Sequence, residues 1–260
     1  MQKKVVFITG ASSGFGLSLA KRYIADGFAV YGVGVQDFSL EGLNYYKCDV
    51  RNFDDINKII SEIVEKEGRL DIVVSNAGIG ISGAVEHTEL EDAKRIMDIN
   101  FFGTFHVLKA VLPTLRKQKS GRILVTSSIA SFVPIPFQAF YSASKAAIDS
   151  LICATRSEVI DYNIKITSIQ PADANTGFTD ARKKSDNNDG YSACEKSVVA
   201  MEKGERTGLT SDDVAKVIYK CSLKKRPPLK RIVGAKYKFL TFILRLLPQR
   251  MREWAVRKFY

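Results

Sequence analysis

The chain has 260 residues, of which 45% are apolar and 26% charged, and a formal net charge of +11. That length suits one α/β domain and that apolar share fills a core, which excludes a disordered, collagen-like or disulfide-scaffold protein. Four scattered cysteines (Cys48, Cys153, Cys194, Cys221) without a Cys-x-x-Cys, and only two histidines (His87, His106), point to reduced thiols and to no metal site.

The apolar run 5–9 predicts a first strand, and Thr9-Gly10 and Ser12-Ser13-Gly14 interrupt it before a signal-peptide core forms. Further strands are expected over 29–33, 45–50, 72–75, 122–127, 164–169 and 231–233. Most are continuous rather than alternating, as in strands covered on both faces. Leu17, Ala20 and Ile24 mark a helix that stops at Gly27; Ile56, Ile59, Ile60 and Ile63 mark another that ends before Gly68. Two longer helices are expected over 89–118 and 138–162, and a shorter one over 211–223. Strand and helix in alternation predict a doubly wound (Rossmann) parallel sheet of about seven strands, helices on both faces, and amphipathic helices at the C-terminal end. The crossover from Val33 to Tyr45 is too short for a full helix. The polar, aperiodic stretch 179–195 reads as a mobile loop, a lid over a site. Residues 1–235 are expected to form one unit, and 236–260 a basic extension of the same domain.

Between the first strand and first helix stands Thr9-Gly10-Ala11-Ser12-Ser13-Gly14-Phe15-Gly16. Glycines at such a bend let a pyrophosphate approach the helix N-terminus, where the dipole favours negative charge. The second strand ends near Gly34, with neither the carboxylate that reads an NAD ribose nor an arginine for NADP. With no carboxylate to repel a 2′-phosphate the reading leans to NADP(H) over NAD(H), although Asp37 is near enough to reverse it. Tyr141 and Lys145 lie one helical turn apart and share a face. Ser128 precedes them at the C-terminal end of a strand, where open α/β sheets bind ligands.

These motifs resemble the short-chain dehydrogenase/reductase family over nearly the whole chain. The resemblance implies catalytic roles for Asn100, Ser128, Tyr141 and Lys145. It also implies cofactor contacts from Gly10, Ser12, Ser13, Gly14, Phe15, Gly16, Asp49, Val50, Asn76, Ala77, Gly78, Tyr141, Lys145, Pro171, Ala172 and Thr176, with no metal ligand. Asp49 would lie beside the adenine, and Ala172 departs from the family's Pro-Gly at Pro171-Ala172. On this reading Tyr141 is the acid–base group, its phenol stabilised as phenolate by the Lys145 ammonium and the oxidised nicotinamide. Ser128 orients the substrate oxygen, and the Asn100 carbonyl links Lys145 to solvent through a water. The resemblance also suggests a homodimer or homotetramer through the two long helices. The alternative is a nucleotide-binding regulatory or membrane-associated protein without catalysis, from which loss of the tyrosine or lysine would be expected; both are present.

Residues 79–81, 129, 132–137, Phe140 and Phe178 make an apolar set near the predicted site, which suits a lipophilic alcohol or ketone such as a steroid, retinoid or long-chain carbonyl. Residues 224–260 carry twelve lysines and arginines against Glu253 alone, so the tail accounts for the whole net charge. Two readings of its amphipathic helices stand: covering the substrate pocket or packing on the body or a second subunit, or an interfacial anchor on anionic membrane. Its clustered aromatics argue against nucleic acid. The expected location is cytoplasmic, with peripheral membrane attachment through the tail.

Overall fold

Seven segments pair in parallel in the computed structural model, which describes residues 3–185 and 189–259. They are β1 (Val5–Thr9), β2 (Ala29–Gly34), β3 (Leu43–Lys47), β4 (Ile72–Ser75), β5 (Gly121–Thr126), β6 (Ile164–Pro171) and β7 (Lys230–Val233), in spatial order β7-β6-β5-β4-β1-β2-β3. The order reverses between β1 and β4, which opens a crevice at the C-terminal strand ends.

Helices cover both faces: α1 (Gly14–Ala25), α2 (Phe53–Glu67), α3 (Leu90–Met97), α4 (Gly103–Gln118), α5 (Ala139–Glu158), α6 (Ser192–Arg206) and α7 (Ser211–Ser222). Successive strand residues face opposite sides, so one sheet gives two cores. Val5, Phe7, Tyr31, Val33, Val73 and Ile123 pack with α2, α4 and α5; Val6, Ile8, Val30, Val74 and Leu124 pack with α1 and α7. The Asn52 side chain caps α2 by accepting from the amides of Asp54 and Asp55, and Gly68 ends it at φ +70°.

Three expectations need correction. The helix expected over 89–118 is α3 and α4 joined by a π-turn at Asp98–Phe102, which seats the fully buried Asn100. The helix expected over 138–162 ends at Glu158, followed by one 3₁₀ turn at Ile160–Tyr162. The stretch 179–195 is not an irregular loop throughout. Lys183–Lys184 pairs with Ile81–Ser82, and Ser192 begins the fifteen-residue α6; residues 186–188 lie outside the described residues. Helix α6 escaped the periodicity reading because Cys194, Val198 and Met201 form one narrow buried stripe in a segment otherwise rich in charge. The C-terminal helices α8 (Ala235–Leu246) and α9 (Gln249–Phe259) form as expected, and no helix among the described residues is long and apolar enough to cross a membrane.

Candidate active site

The bend between β1 and α1 is built for close approach. Gly10 (φ +67°) and Gly14 (φ +50°) adopt left-handed backbone, and a Cβ on Gly16 would collide with the Gly10 carbonyl oxygen. Asn76 clips this bend to the sheet. Its Nδ2 donates to the Thr9 carbonyl at 3.2 Å, its Oδ1 accepts from Thr126 Oγ1 at 3.1 Å, and the Thr9 hydroxyl accepts from the amides of Asn76 and Ala77. The bend thus leaves the N-terminus of α1 open to an anionic group, so the residues present fit a dinucleotide pyrophosphate.

The cavity beside the bend has a volume of about 250 Å³. Gly10, Ser13, Gly14, Phe15, Asn76, Ala77, Gly78, Ser128, Tyr141, Lys145, Pro171, Ala172 and Thr176 all line it. Ser12, Gly16, Asn100, Asp49 and Val50 do not. Gly16 packs beneath the bend. Asn100 lies one layer back: its Oδ1 accepts from the Ile79 amide at 2.8 Å and its Nδ2 donates to the Ile79 carbonyl and to Ser144 Oγ, each at 3.0 Å. The Asn100 carbonyl accepts from Thr104 Oγ1 at 2.8 Å. Val50 is buried, and its carbonyl bonds the His106 ring. Asp49 pairs with Arg51 at 2.6 Å, which holds its carboxyl below the usual carboxylate range, in a separate hollow with Phe53 and Phe102.

The first turns of α5 put Tyr141 and Lys145 on one face, with the Lys145 Nζ 5.7 Å from the phenol ring centre. Burial pushes Tyr141 up to about 12, and the Ser128 hydroxyl facing it only partly opposes the rise. Lys145 is aimed elsewhere: its Nζ donates to the Thr126 carbonyl at 2.9 Å, and burial pushes it down to about 8. One turn further along α5, Asp149 accepts from Ser131, Ser168, Gln170 and Lys230 within 3.0 Å. Burial works against its charge, yet these bonds prevail and keep the carboxyl below its ordinary range. This buried carboxylate under Lys145 was legible as the next i+4 position on the same helix face, and the sequence reading missed it.

The sequence profile of the short chain dehydrogenases matches residues 4–187. The chain belongs to the short-chain dehydrogenase family. It is 37% identical over 266 aligned residues to a protein of Bacteroides thetaiotaomicron named 3-ketodihydrosphingosine reductase, covering 100% of this chain and 99% of the relative. It superposes with a TM-score of 0.85, at 26% identity and over 97% of this chain and 96% of the other, on a crystal structure of a short-chain dehydrogenase from Streptomyces avermitilis. A second structure, ElxO with NADP bound, aligns with a TM-score of 0.75 at 27% identity, over 90% of this chain and 98% of that one. The protein is therefore an NAD(P)-dependent oxidoreductase acting on CH–OH and C=O groups.

At the C-terminal end of β2 this short-chain dehydrogenase has a residue that sequence reading could not reach. Lys47 pairs in register with Gly34 across β2 and β3, and its Nζ lies 2.8 Å from Asp37 Oδ2. Tyr45 fills the space over Gly34, donating to the Gln36 carbonyl at 2.8 Å, where a Cβ on Gly34 would stand 2.6 Å from the phenol oxygen. The apolar set expected around the site divides. Ile79, Gly80, Ile129, Ile135 and Phe178 line the cavity beside the bend, Phe132, Val133, Pro134, Pro136 and Phe137 line a crevice of about 780 Å³ against α8 and α9, and Ile81 and Phe140 line neither.

Proposed function

We propose that this enzyme reduces the ketone of a long-chain lipid, with Tyr141 as the proton donor. The observation that carries the reading is the Tyr141 phenol facing Ser128 on the wall of a cavity whose other side is apolar. The full-length likeness to a relative named 3-ketodihydrosphingosine reductase supports the substrate class. When bound, the nicotinamide supplies a hydride to the carbonyl carbon. Ser128 holds the carbonyl oxygen, and the phenol gives it a proton as the alkoxide charge develops. Lys145 restores charge balance beside it, and Asn100 positions the cavity wall through Ile79. The reading is tested by following reduced-nicotinamide absorbance against long-chain 3-ketones, sterols, retinoids, fatty aldehydes and sugars. Turnover confined to sugars, or none on any lipid ketone, rejects it.

NADPH is the preferred hydride donor on this reading, because Lys47 offers a cation beside the ribose position and already engages Asp37. Lys47→Ala is expected to weaken NADPH binding about 10-fold, the scale of one hydrogen bond to a charged group, and NADH binding far less. Fluorescence titration with both nucleotides decides this, and an equal change in the two removes Lys47 from cofactor selection.

The tail fits an anionic lipid surface. Leu244 and the Tyr237–Asp173 hydrogen bond hold α8 to the body, and Arg245 and Arg252 lie 5.1 and 5.2 Å from the Phe132 ring. Phe239, Phe242, Leu246 and Trp254 are each at least 60% exposed among bases. Co-sedimentation is expected with anionic and not with neutral vesicles, and to be lost in Phe239→Asp/Phe242→Asp; equal pelleting with both vesicle types argues against it. Exposed Phe102 and Phe105 suit the homodimer or homotetramer contact expected of the long helices, which light scattering would test; a monomeric mass would refute it.

A further inference from the structure

Hydride transfer and nucleotide binding leave one acidic wall of the catalytic cavity unused. Glu205, in the last turn of α6, lines the cavity with its side chain 14% exposed. Its carboxylate accepts from Arg182 Nη2 and, at 2.8 Å, from Thr179 Oγ1. The Arg182 side chain is wholly buried, and among the described residues its Nε and Nη1 have no hydrogen-bond partner. The Phe178 ring centre lies 5.7 Å from the Arg182 guanidinium carbon and 5.7 Å from the centre of the Tyr141 ring. Gly80 leaves the room for this stack, since a Cβ there would stand 2.8 Å from Phe178 Cζ and 3.4 Å from Arg182 Nε.

A buried ion pair with unspent guanidinium N–H groups is an expensive way to tie a loop to a helix, because each unmet donor keeps its desolvation cost. Its polarity is more telling than its strength. The arginine is packed away from the cavity and the carboxylate borders it, so the end presented to a substrate is negative. Each carboxylate oxygen takes one hydrogen bond from the protein and retains acceptor capacity. Close by, one turn before Tyr141, the Gln138 side chain is 3% exposed, borders the same cavity and makes no hydrogen bond among the described residues. A cavity otherwise suited to a lipid thus has a polar corner that can accept from a cation and bond a hydroxyl.

We infer that Glu205, held in place by Arg182 and Thr179, binds a cationic amino group on the carbon next to the substrate ketone, with the Gln138 amide left for a neighbouring hydroxyl, so that the enzyme selects long-chain 2-amino-3-ketones over neutral ketones. This rests on the ketone-reductase reading above and adds the head group to it. Glu205 and Gln138 act here on substrate binding, and Arg182 is a positioning residue for Glu205.

The test compares kcat/KM for a long-chain 2-amino-3-ketone and for the same ketone lacking the amine. The wild-type enzyme is expected to favour the amine about 10- to 100-fold, the worth of a hydrogen bond between charged groups. Glu205→Gln should bring the ratio close to one, chiefly through KM for the amine, and Glu205→Asp should restore part of it. A parallel fall on both substrates means that Glu205 only supports the fold and overturns the inference, as does a wild-type ratio near one. Should Glu205→Gln not fold, calorimetric binding of a long-chain 2-amino alcohol and its deaminated counterpart to the wild-type enzyme gives the same decision, and equal affinities overturn it. Turnover of neither ketone brings down the lipid-ketone reading and this inference together; equal turnover of both brings down this inference alone.

Discussion

Tyr141→Phe is expected to lower kcat about 1,000-fold, within the range that one positioned proton donor contributes, while leaving the dissociation constant for NADPH nearly unchanged. The substitution removes one oxygen and keeps the ring, which packs at 5.7 Å against Phe178, so the cavity keeps its shape. Ser128 also keeps its place, because its hydroxyl oxygen accepts from the Ala130 amide at 3.1 Å. Loss confined to the chemical step is therefore the signature sought, read from single-turnover absorbance beside a nucleotide titration. A variant retaining more than a tenth of the parent rate would show that another group supplies the proton.

Lys145→Met should remove activity and yet stabilise the protein at neutral pH. The lysine is buried, and its pKa falls from 10.5 in the unfolded chain to about 8 in the fold, which corresponds to a folding penalty of about 3 kcal/mol. Below pH 8 both states hold the proton and the penalty is present in full. Between 8 and 10.5 the unfolded chain holds the proton and the folded one has released it, so wild-type stability rises with pH across that window. Losing the bond to the Thr126 carbonyl costs about 1 kcal/mol of the gain. A melting temperature about 5 °C higher than wild type is then expected at pH 7, with the difference shrinking or reversing by pH 10. A difference that stays constant from pH 7 to pH 10 would refute the buried-charge account.

Much of this enzyme is written in short-range patterns. The glycine bend 10–16, the one-turn spacing of Tyr141 and Lys145, and most strands of the sheet follow from backbone freedom and periodicity inside a few residues. The exceptions have definite causes. The π-turn at Asp98–Phe102 adds a residue to a helical repeat without altering its composition, so the apolar spacing over 89–118 reads as one helix. Helix α6 has a single narrow buried stripe and is dominated by charge, which makes it look like loop.

The amino-acid sequence by itself determined the doubly wound fold, the glycine bend and the helix face shared by Tyr141 and Lys145, because each depends on residues within a turn or two of one another. Tertiary structure alone decided how the groups between those elements are used. It turned the Lys145 ammonium toward the Thr126 carbonyl. It brought Lys47 beside Gly34 across two strands, and Glu205 to Arg182 across 23 residues. Charge and desolvation act through space, and no local pattern records which distant side chain will share a dry cavity.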